Sequence, residues 1–295
     1  MEFELDAGWS LQPAGGSTGS AFLGVYANQK YFLKRNASPF LAALSVEHIT
    51  PRLLWTRRVS TGDVLTAQEW LDGETLTREQ MMQPVVAKML AQVHHSSLLK
   101  RMLRQVGGQI LDPARLRHDL LQDFPRDLTN QPRVKRALSD LQQWLPRVTV
   151  QSVCHGDLNH KNWLRAGGRL YLVDWEQVAL GDPAYDLADV MAHYGHRNSW
   201  PAFLRAYGAN NDESLENRLY WYGDLHLLND MKAAAQHQRT DEVAQVLQQF
   251  ETLQSTHRME AVSAWQRACG KIRFCLRPFD CRHGKNDHRE ESSQL

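Results

Sequence analysis

The feature that most constrains this chain is the segment HGDLNHKN at residues 155–162, with Asp174 twelve residues beyond Asn162. The short apolar run that precedes Asp174, residues 170–173, is predicted to be a strand. The gap of five residues from Asp157 to Asn162 is typical of a short loop that turns a carboxylate and an amide oxygen into one cleft. The pattern therefore predicts a fold in which this loop and the end of that strand meet.

Phosphoryl transfer needs this set of side chains. The reaction requires one carboxylate that orients and deprotonates the attacking hydroxyl, and oxygen ligands that hold Mg²⁺ against the phosphates. We predict that Asp157 is the catalytic base and that Asn162 and Asp174 are metal ligands. ATP and Mg²⁺ are therefore the expected cofactors.

A glycine-rich segment near the start of the chain predicts a phosphate-binding loop. Glycines let the backbone approach a ligand closely and present several N–H donors to phosphate oxygens. The predicted loop, which precedes two strands joined by a turn, consists of Gly15, Gly16, Ser17, Thr18 and Gly19. Lys34, at the end of the second strand, is expected to reach the α- and β-phosphates, with Glu47 on the next helix as its ion-pair partner.

The order of predicted elements indicates an α+β fold. Strands over residues 52–59 and 64–71, with one helix over 39–47, complete a small β-rich N-lobe at residues 1–73. The periodicity then becomes mainly helical over a larger C-lobe, residues 74–268. We predict a bilobal protein-kinase-like fold.

Two local signals refine this division. Thr77 and Gln80 have the spacing of a capping box, which predicts the start of the first C-lobe helix. Residues 269–295 are expected to form a disordered tail, because the composition toward the end of the chain is polar and charged. Cys269, Cys275 and Cys281 are six residues apart rather than in Cys-x-x-Cys pairs, so a metal site there is the less favoured interpretation.

Composition excludes several classes of partner. Lys plus Arg total 34 against 33 Asp plus Glu, so bulk charge gives no reason to expect nucleic acid or an anionic membrane. No apolar run is long enough to span a bilayer, and the first residues lack the pattern of a secretory signal. Four cysteines are too few for a disulfide framework in a chain of this length. We therefore predict a cytoplasmic protein.

Several segments resemble the aminoglycoside phosphotransferase and choline-kinase-like superfamily. Residues 155–162 resemble its catalytic-loop motif, and Val173-Asp-Trp-Glu176 resembles its metal-binding strand end. The segments 181–188 and 90–94 also match, and the resemblance extends over about residues 9–260. It implies an ATP-dependent kinase that phosphorylates a small-molecule hydroxyl.

Within that superfamily, residues 13–19, 32–40 and 65–73 are similar to the bacterial cell-cycle regulator CcrZ (YtmP) group. This resemblance implies ribose or 2-deoxyribose as the acceptor, the division protein FtsZ as a partner, and recruitment to the division site. These implications come from the resemblance and not from the chemistry of individual residues.

The same resemblance suggests roles for residues outside the catalytic motif. Gln68 and Trp70 would belong to a hinge whose backbone holds adenine, with Trp70 either beside the ring or in the core. His155 would brace the catalytic loop. Asp182 and Asp186 would either shape the acceptor pocket or anchor the following helix, and we favour anchoring for Asp186.

Two other functions share these motifs. The chain could act chiefly as a division-associated binding module on a kinase scaffold. It could also phosphorylate choline, thiamine or an aminoglycoside, since such kinases differ from a sugar kinase mainly in the acceptor pocket.

Overall fold

The computed structural model describes residues 5, 7–14, 19–196, 198–209 and 213–254. These residues all belong to one compact unit that ends at Gln254. The predicted tail at 269–295, the end of the predicted C-lobe, and Gly15 to Thr18 of the predicted glycine loop lie outside the described residues.

An antiparallel sheet of five strands forms the N-terminal region, in the order β1-β2-β3-β5-β4. The strands are β1 (Ser10–Pro13), β2 (Ala21–Tyr26), β3 (Gln29–Arg35), β4 (Leu53–Arg58) and β5 (Val64–Glu69). The turn between β2 and β3 consists of Ala27 and Asn28, which both have positive φ, 47° and 63°. Such two-residue turns match the twist of the strands they connect. The predicted strand pair is confirmed, whereas β1 was not predicted.

One face of this sheet carries a small core of its own, formed by Leu33, Val59, Leu65 and Ala67. Trp9 packs on that face and stacks on Tyr26, with ring centres 5.1 Å apart. Gly24 makes this close approach possible, because a Cβ there would lie 2.9 Å from the Trp9 ring and 2.6 Å from Leu33.

Helix α1 (Leu41–Val46) follows the third strand but packs elsewhere. Its buried side chains Ala43 and Leu44 belong to the large core of the helical region, not to the small core of the sheet. The backbone N–H of Leu172 donates to the carbonyl of Ile49 at 2.8 Å, just beyond the helix. Thus α1 is packed with the helical region, and the residues that follow it are hydrogen-bonded to β10, the strand before Asp174.

The rest of the described chain is mainly helical, with two small sheets. The helices are α2 (Pro84–His95), α3 (Ser97–Gln105), α4 (Pro113–Leu121), α5 (Pro132–Gln143), α6 (Pro183–Tyr194), α7 (Trp200–Tyr207) and α8 (Glu213–Gln236), and residues 240–254 are also helical. The strands are β6 (Glu74–Thr75), β7 (Gln109–Ile110), β8 (Ser152–Cys154), β9 (Trp163–Ala166), β10 (Arg169–Leu172) and β11 (Ala179–Gly181). The sheets have the orders β10-β9-β6 and β7-β11-β8. The predicted α+β class is confirmed.

Proline and side-chain caps set several helix starts. Pro113 and Pro183 occupy first-turn positions, and the carboxylates before them, Asp112 and Asp182, accept hydrogen bonds from backbone N–H groups of the first turn. The predicted capping box also forms, since the Thr77 N–H donates to Gln80 Oε1 at 3.0 Å. It begins a short 3₁₀ turn, however, and α2 starts later, at Pro84.

The large core is centred on α6 and α8. Both helices bury apolar residues along most of their lengths, including Leu187 and Val190 on α6 and Leu225 and Leu228 on α8. This packing places α6 directly beneath the segment that carries the predicted catalytic loop. Among the described residues, no helix is both long and apolar enough to cross a bilayer.

Candidate active site

The predicted catalytic loop connects β8 to β9. Asn162 donates through Nδ2 to the carbonyl of Asp157 at 3.0 Å, and its backbone N–H donates to Asn159 at 2.9 Å. The loop therefore closes on itself, and a 3₁₀ turn brings Asn162 back to Asp157. Because the amide nitrogen makes this bond, the amide oxygen of Asn162 is the atom that would ligate the predicted metal ion.

Two hydrogen bonds bring Asp174 to the same place. The backbone N–H of Val173 donates to the carbonyl of Asn162 at 2.9 Å. The carbonyl of Val173 lies 3.0 Å from His155 Nε2. Asp174 itself has φ of 65°, a left-handed conformation that is uncommon for a residue other than glycine. The structure thus joins the loop to the strand end, and it places His155 in the bracing position that the resemblance implied.

Lys34 reaches this cluster from β3. Its ammonium nitrogen lies 3.3 Å from Asp174 Oδ1 and 2.8 Å from Glu176 Oε1. Both carboxylates are about half exposed, at 49% and 46%. Glu176 was not predicted as a partner of Lys34. The signal available was its position only two residues after Asp174.

The predicted ion pair between Lys34 and Glu47 is wrong for this structure. The carboxylate of Glu47 accepts a hydrogen bond from the Ser96 hydroxyl at 2.8 Å, and its carbonyl accepts one from Gln92. Glu47 is the residue at which α1 ends, and His48 follows it with a left-handed φ of 57°. The side chain is thereby held at the start of α3. Its role toward a nucleotide stays a prediction.

The glycine loop connects β1 to β2. The N–H of Ala14 donates to Ala21, and the N–H of Arg35 donates to Ser20, so the base of the loop lies beside the end of β3. Gly19 is the last residue of the predicted loop and the one loop residue that the structure describes, and its φ is 60°. The described flanks therefore lie next to Lys34.

The predicted hinge residues have defined contacts. The side chain of Gln68 is buried and donates to the carbonyl of Pro51 at 2.7 Å. Trp70 is half-buried and donates through Nε1 to Asp72 at 2.9 Å. Neither contact tests the predicted binding of adenine, which stays a prediction.

Buried carboxylates on α6 hold the catalytic loop from below. Asp186 is fully buried, accepts hydrogen bonds from the N–H groups of His155 at 2.8 Å and Gly156 at 3.1 Å, and lies 3.0 Å from His94 Nε2. One turn further along α6, Asp189 accepts a bond from the N–H of Leu158 at 3.0 Å. Asp186 is thus an anchor, although for the loop rather than for its own helix. The role of Asp189 was not predicted.

Of the two roles considered for Asp182, the structure gives it the anchoring of the following helix. Its carboxylate caps α6 at Ala184 and forms two hydrogen bonds of 2.8 and 2.9 Å with Arg218 Nη1. Burial raises the pKa of Asp182, while the Ala184 N–H and Arg218 act against that rise. Asp182 therefore has a structural role, as the buried partner of Arg218 in an ion pair.

A pocket of about 270 Å³ opens beside the catalytic loop. It is lined by Arg78, Glu79, residues 192–196, Gln245, Gln248, Gln249 and Thr252. The pocket adjoins the loop because the N–H of His160 donates to the hydroxyl of Tyr194 at 3.0 Å. Arg78 covers the Tyr194 ring at 4.8 Å and donates to the carbonyl of His193 at 3.0 Å.

The oxygen donors at the site fit a hard cation such as Mg²⁺. Asn162 offers its amide oxygen, and Asp174 offers a carboxylate that is half exposed. Within the described part of the chain, His94, Cys154 and Asp186 are also close enough to share a metal ion. That group is fully buried, and Asp186 is already hydrogen-bonded to the loop, so it does not suit a nucleotide-bound cation.

Comparison with known proteins places these features in context. The profile described as the phosphotransferase enzyme family (APH) matches residues 12–222. Protein LicA of Haemophilus influenzae is 26% identical over 166 residues, which is 56% of this chain and 60% of that protein. In a second LicA protein of that species the match covers 47% of its length. The chain thus spans about half the length of these relatives.

Solved structures show the fold. Choline kinase LicA of Streptococcus pneumoniae has a TM-score of 0.56 at 18% identity, covering 82% of this chain and 93% of the other. The GDP complex of aminoglycoside 2'-phosphotransferase-IIIa has a TM-score of 0.60 at 13% identity, covering 87% and 94%. A LicA complex with AMP has a TM-score of 0.57 at 17% identity, covering 84% and 94%. The predicted kinase-like fold is confirmed.

Proposed function

Because the chain belongs to the phosphotransferase enzyme family, we propose that it transfers the γ-phosphoryl group of ATP to a hydroxyl of a small molecule. One observation supports this most directly. The hydrogen bonds from Asn162 to Asp157 and from Val173 to Asn162 join the proposed base, both proposed metal ligands and the strand end in one cluster. The AMP and GDP complexes of fold neighbours are in keeping with a nucleotide substrate.

Each residue of the cluster has a distinct part in the proposed mechanism. Asn162 and Asp174 would hold Mg²⁺, which when bound neutralises charge on the phosphates. Lys34 is paired with Asp174 and Glu176 in this structure. With nucleotide bound, it would donate to phosphate oxygens instead of to these two carboxylates. Asp157 orients the acceptor hydroxyl and takes its proton as the oxygen attacks the γ-phosphorus.

We propose that the acceptor binds in the pocket beside the catalytic loop and is a neutral, hydroxyl-rich compound. The side-chain amides of Gln245, Gln248 and Gln249 line it without a hydrogen bond to another described residue. Amides both donate and accept, as hydroxyl groups do. Ribose and 2-deoxyribose, which the resemblance to the CcrZ group implies, belong to this class.

The charged groups of the pocket are already paired. Arg78 lies on Tyr194 and bonds to the His193 carbonyl, and a hydrogen bond from Thr77 lowers the pKa of Glu79. A quaternary ammonium such as choline favours several aromatic rings. Apart from two histidines, Tyr194 is the aromatic side chain among the described lining residues, and Arg78 occupies one of its faces. A polycationic aminoglycoside would favour several free carboxylates. Both are therefore less suitable acceptors than a sugar.

The cell-cycle role, the contact with FtsZ, and a cytoplasmic location at the division site stay predictions from the resemblance. A division-associated binding module on a kinase scaffold is the competing function. It predicts that an Asp157→Asn variant keeps full cellular function, whereas the kinase function predicts that this variant loses it.

The biochemical test is a screen for ADP release with purified protein and Mg-ATP over sugars, nucleosides, choline, thiamine and aminoglycosides. We expect the largest signal with a pentose or another polyol. Asp157→Asn should lower that signal by about 10²-fold or more, whereas Asp119→Asn on the exposed surface of α4 should leave it unchanged. Equal activity of Asp157→Asn and wild type, or stimulation by cationic acceptors alone, would contradict the proposal.

A further inference from the structure

A row of hydrogen bonds behind the catalytic loop has no part in the mechanism above. It begins at the N–H of Leu158, which donates to Asp189 Oδ2 at 3.0 Å. The other oxygen of that carboxylate lies 2.7 Å from His193 Nδ1. The second ring nitrogen of His193 lies 2.8 Å from Asp230 Oδ2 on α8. The row therefore connects the residue after Asp157 to two helices.

His193 is part of the pocket as well as of this row. It lines the pocket, and its carbonyl accepts a hydrogen bond from Arg78. Asp189 and His193 are four residues apart on α6, so their side chains lie on one face of the helix. His193 therefore lines the pocket and also contacts Asp189, the carboxylate that supports the loop.

The surroundings of His193 favour the imidazolium form. Burial acts to lower the pKa of His193, but the hydrogen bonds and charges of Asp189 and Asp230 raise it to about 10. The rings of Tyr194 and His226 lie 6.1 and 6.3 Å away. Although burial acts to raise the pKa of Asp189, the charge of His226 and the hydrogen bond from His193 hold it well below its usual range. Asp189 is therefore an ionised acceptor for the loop.

We propose that His193 is a positioning residue for Asp157. His193 holds the Asp189 carboxylate on the N–H of Leu158, and this hydrogen bond fixes the orientation of Asp157, the neighbouring base. This inference rests on the proposed function of Asp157. Leu158 is fully buried, so the backbone at this point has little room to settle elsewhere. If Asp189 rotates, the N–H of Leu158 loses its acceptor and the Asp157 carboxylate is no longer held against the acceptor hydroxyl.

The kinetic test compares His193→Gln, Asp189→Asn and the double variant with wild type. The Asp189→Asn change keeps a side-chain oxygen that can accept from Leu158 but removes the charge. We expect His193→Gln to lower kcat by about 10- to 100-fold, since small displacements of a catalytic group have effects of this size. The KM for ATP should stay unchanged. His118→Gln, at an exposed histidine of α4, is the matched control and should retain wild-type kinetics.

The double variant separates positioning from simple bracing. If His193 acts through Asp189, its substitution should have little further effect on kcat in the Asp189→Asn background. Additive effects would overturn the proposal, and so would a rise in acceptor KM with unchanged kcat. A lower melting temperature with unchanged kcat per folded molecule would also overturn it, since that result assigns His193 a structural role alone.

A second readout does not depend on catalysis. Hydrogen exchange at the Leu158 amide should be faster in His193→Gln than in wild type and unchanged in His118→Gln. If hydrogen exchange at Leu158 is the same in His193→Gln and wild type, the inference is wrong even where the kinase activity is established. If wild type phosphorylates none of the acceptors while exchange changes as expected, the proposed function fails and the hydrogen-bonded row stands.

Discussion

Asp157 and its neighbours are held from below by two buried carboxylates, whereas Lys34, Asp174 and Glu176 meet at an edge that is open to solvent. We call the first group, residues 155–158 with Asp186 and Asp189, the base side of the site. The second group of three residues is the nucleotide side. On the base side, the backbone N–H groups of His155, Gly156 and Leu158 all donate to carboxylates. On the nucleotide side, the carboxylates are about half exposed.

This difference indicates when each side becomes ordered. Hydrogen bonds to buried charges are strong and short-range, so the base side is fixed before any substrate binds. Ion pairs at an exposed edge contribute little to stability and exchange partners readily. On the nucleotide side, Lys34 can therefore leave its carboxylate partners and bind phosphate oxygens, and the carboxylates can then bind a cation.

The largest expected effect is on the base side. Asp186→Ala leaves two backbone N–H groups and His94 without a buried acceptor, and we expect it to lower the free energy of unfolding by about 3–5 kcal/mol. Urea unfolding followed by circular dichroism would measure this. Asp119→Ala, whose side chain is exposed, should change it by less than about 1 kcal/mol. Equal losses in the two variants would show that the buried carboxylates do not hold the base side as described.

A pH titration should show the next largest effect. The folded pKa of His193 is about 10, against about 6.5 in an unfolded chain. The folded state therefore binds this proton more tightly, and the stability it contributes is complete below pH 6.5 and is lost as pH rises to about 10. A shift of this size corresponds to at most about 5 kcal/mol of stability, and His193→Gln should remove most of that loss. A wild-type curve that is flat over this window would show that the row is not charged as described.

On the nucleotide side, the effect on folding should be small and the effect on activity large. Lys34→Met removes an ion pair at an open edge and should change the free energy of unfolding by less than about 1 kcal/mol. It should lower kcat/KM for ATP by about 10²-fold or more, because a phosphate ligand is lost. Lys30→Met on the same strand is the control for both measurements. A large loss of stability in Lys34→Met would mean that the ion pair of Lys34 stabilises the fold, as the buried charges of the base side do.

The smallest expected effect belongs to Glu47. Because its carboxylate accepts from Ser96, which an amide oxygen can also do, Glu47→Gln should change the free energy of unfolding by less than about 1 kcal/mol. Its effect on kcat/KM for ATP should be well below that of Lys34→Met. A loss as large as that of Lys34→Met would mean that the two residues pair when nucleotide is bound.

The parts of the site that are close in sequence were predictable. The five-residue spacing of Asp157 and Asn162 implies a closed loop, and the strand before Asp174 implies its arrival at that loop; the structure has both features. Strand periodicity and turn residues likewise predicted β2 and β3. Local rules were sufficient wherever one stretch of chain determines its own conformation.

Contacts between distant segments were not predictable in this way. Glu47 has the right spacing to pair with Lys34, but the end of α1 directs it to Ser96. Asp189, His193 and Asp230 have no motif, since the row depends on how α6 packs against α8. The capping box at Thr77 forms as predicted, yet α2 begins later, at a proline, which is well suited to a first helical turn.

The packing of α1 has a consequence for motion in the cleft. Since Ala43 and Leu44 are buried with the helices while Lys34 belongs to the sheet, opening the cleft would bend the chain both before and after α1. Lys34 would travel with the strands, and Glu47 would stay behind with Asp174. The distances from the Lys34 ammonium to Asp174 and Glu176, 3.3 and 2.8 Å in this structure, would then change with any movement of the sheet relative to the helices.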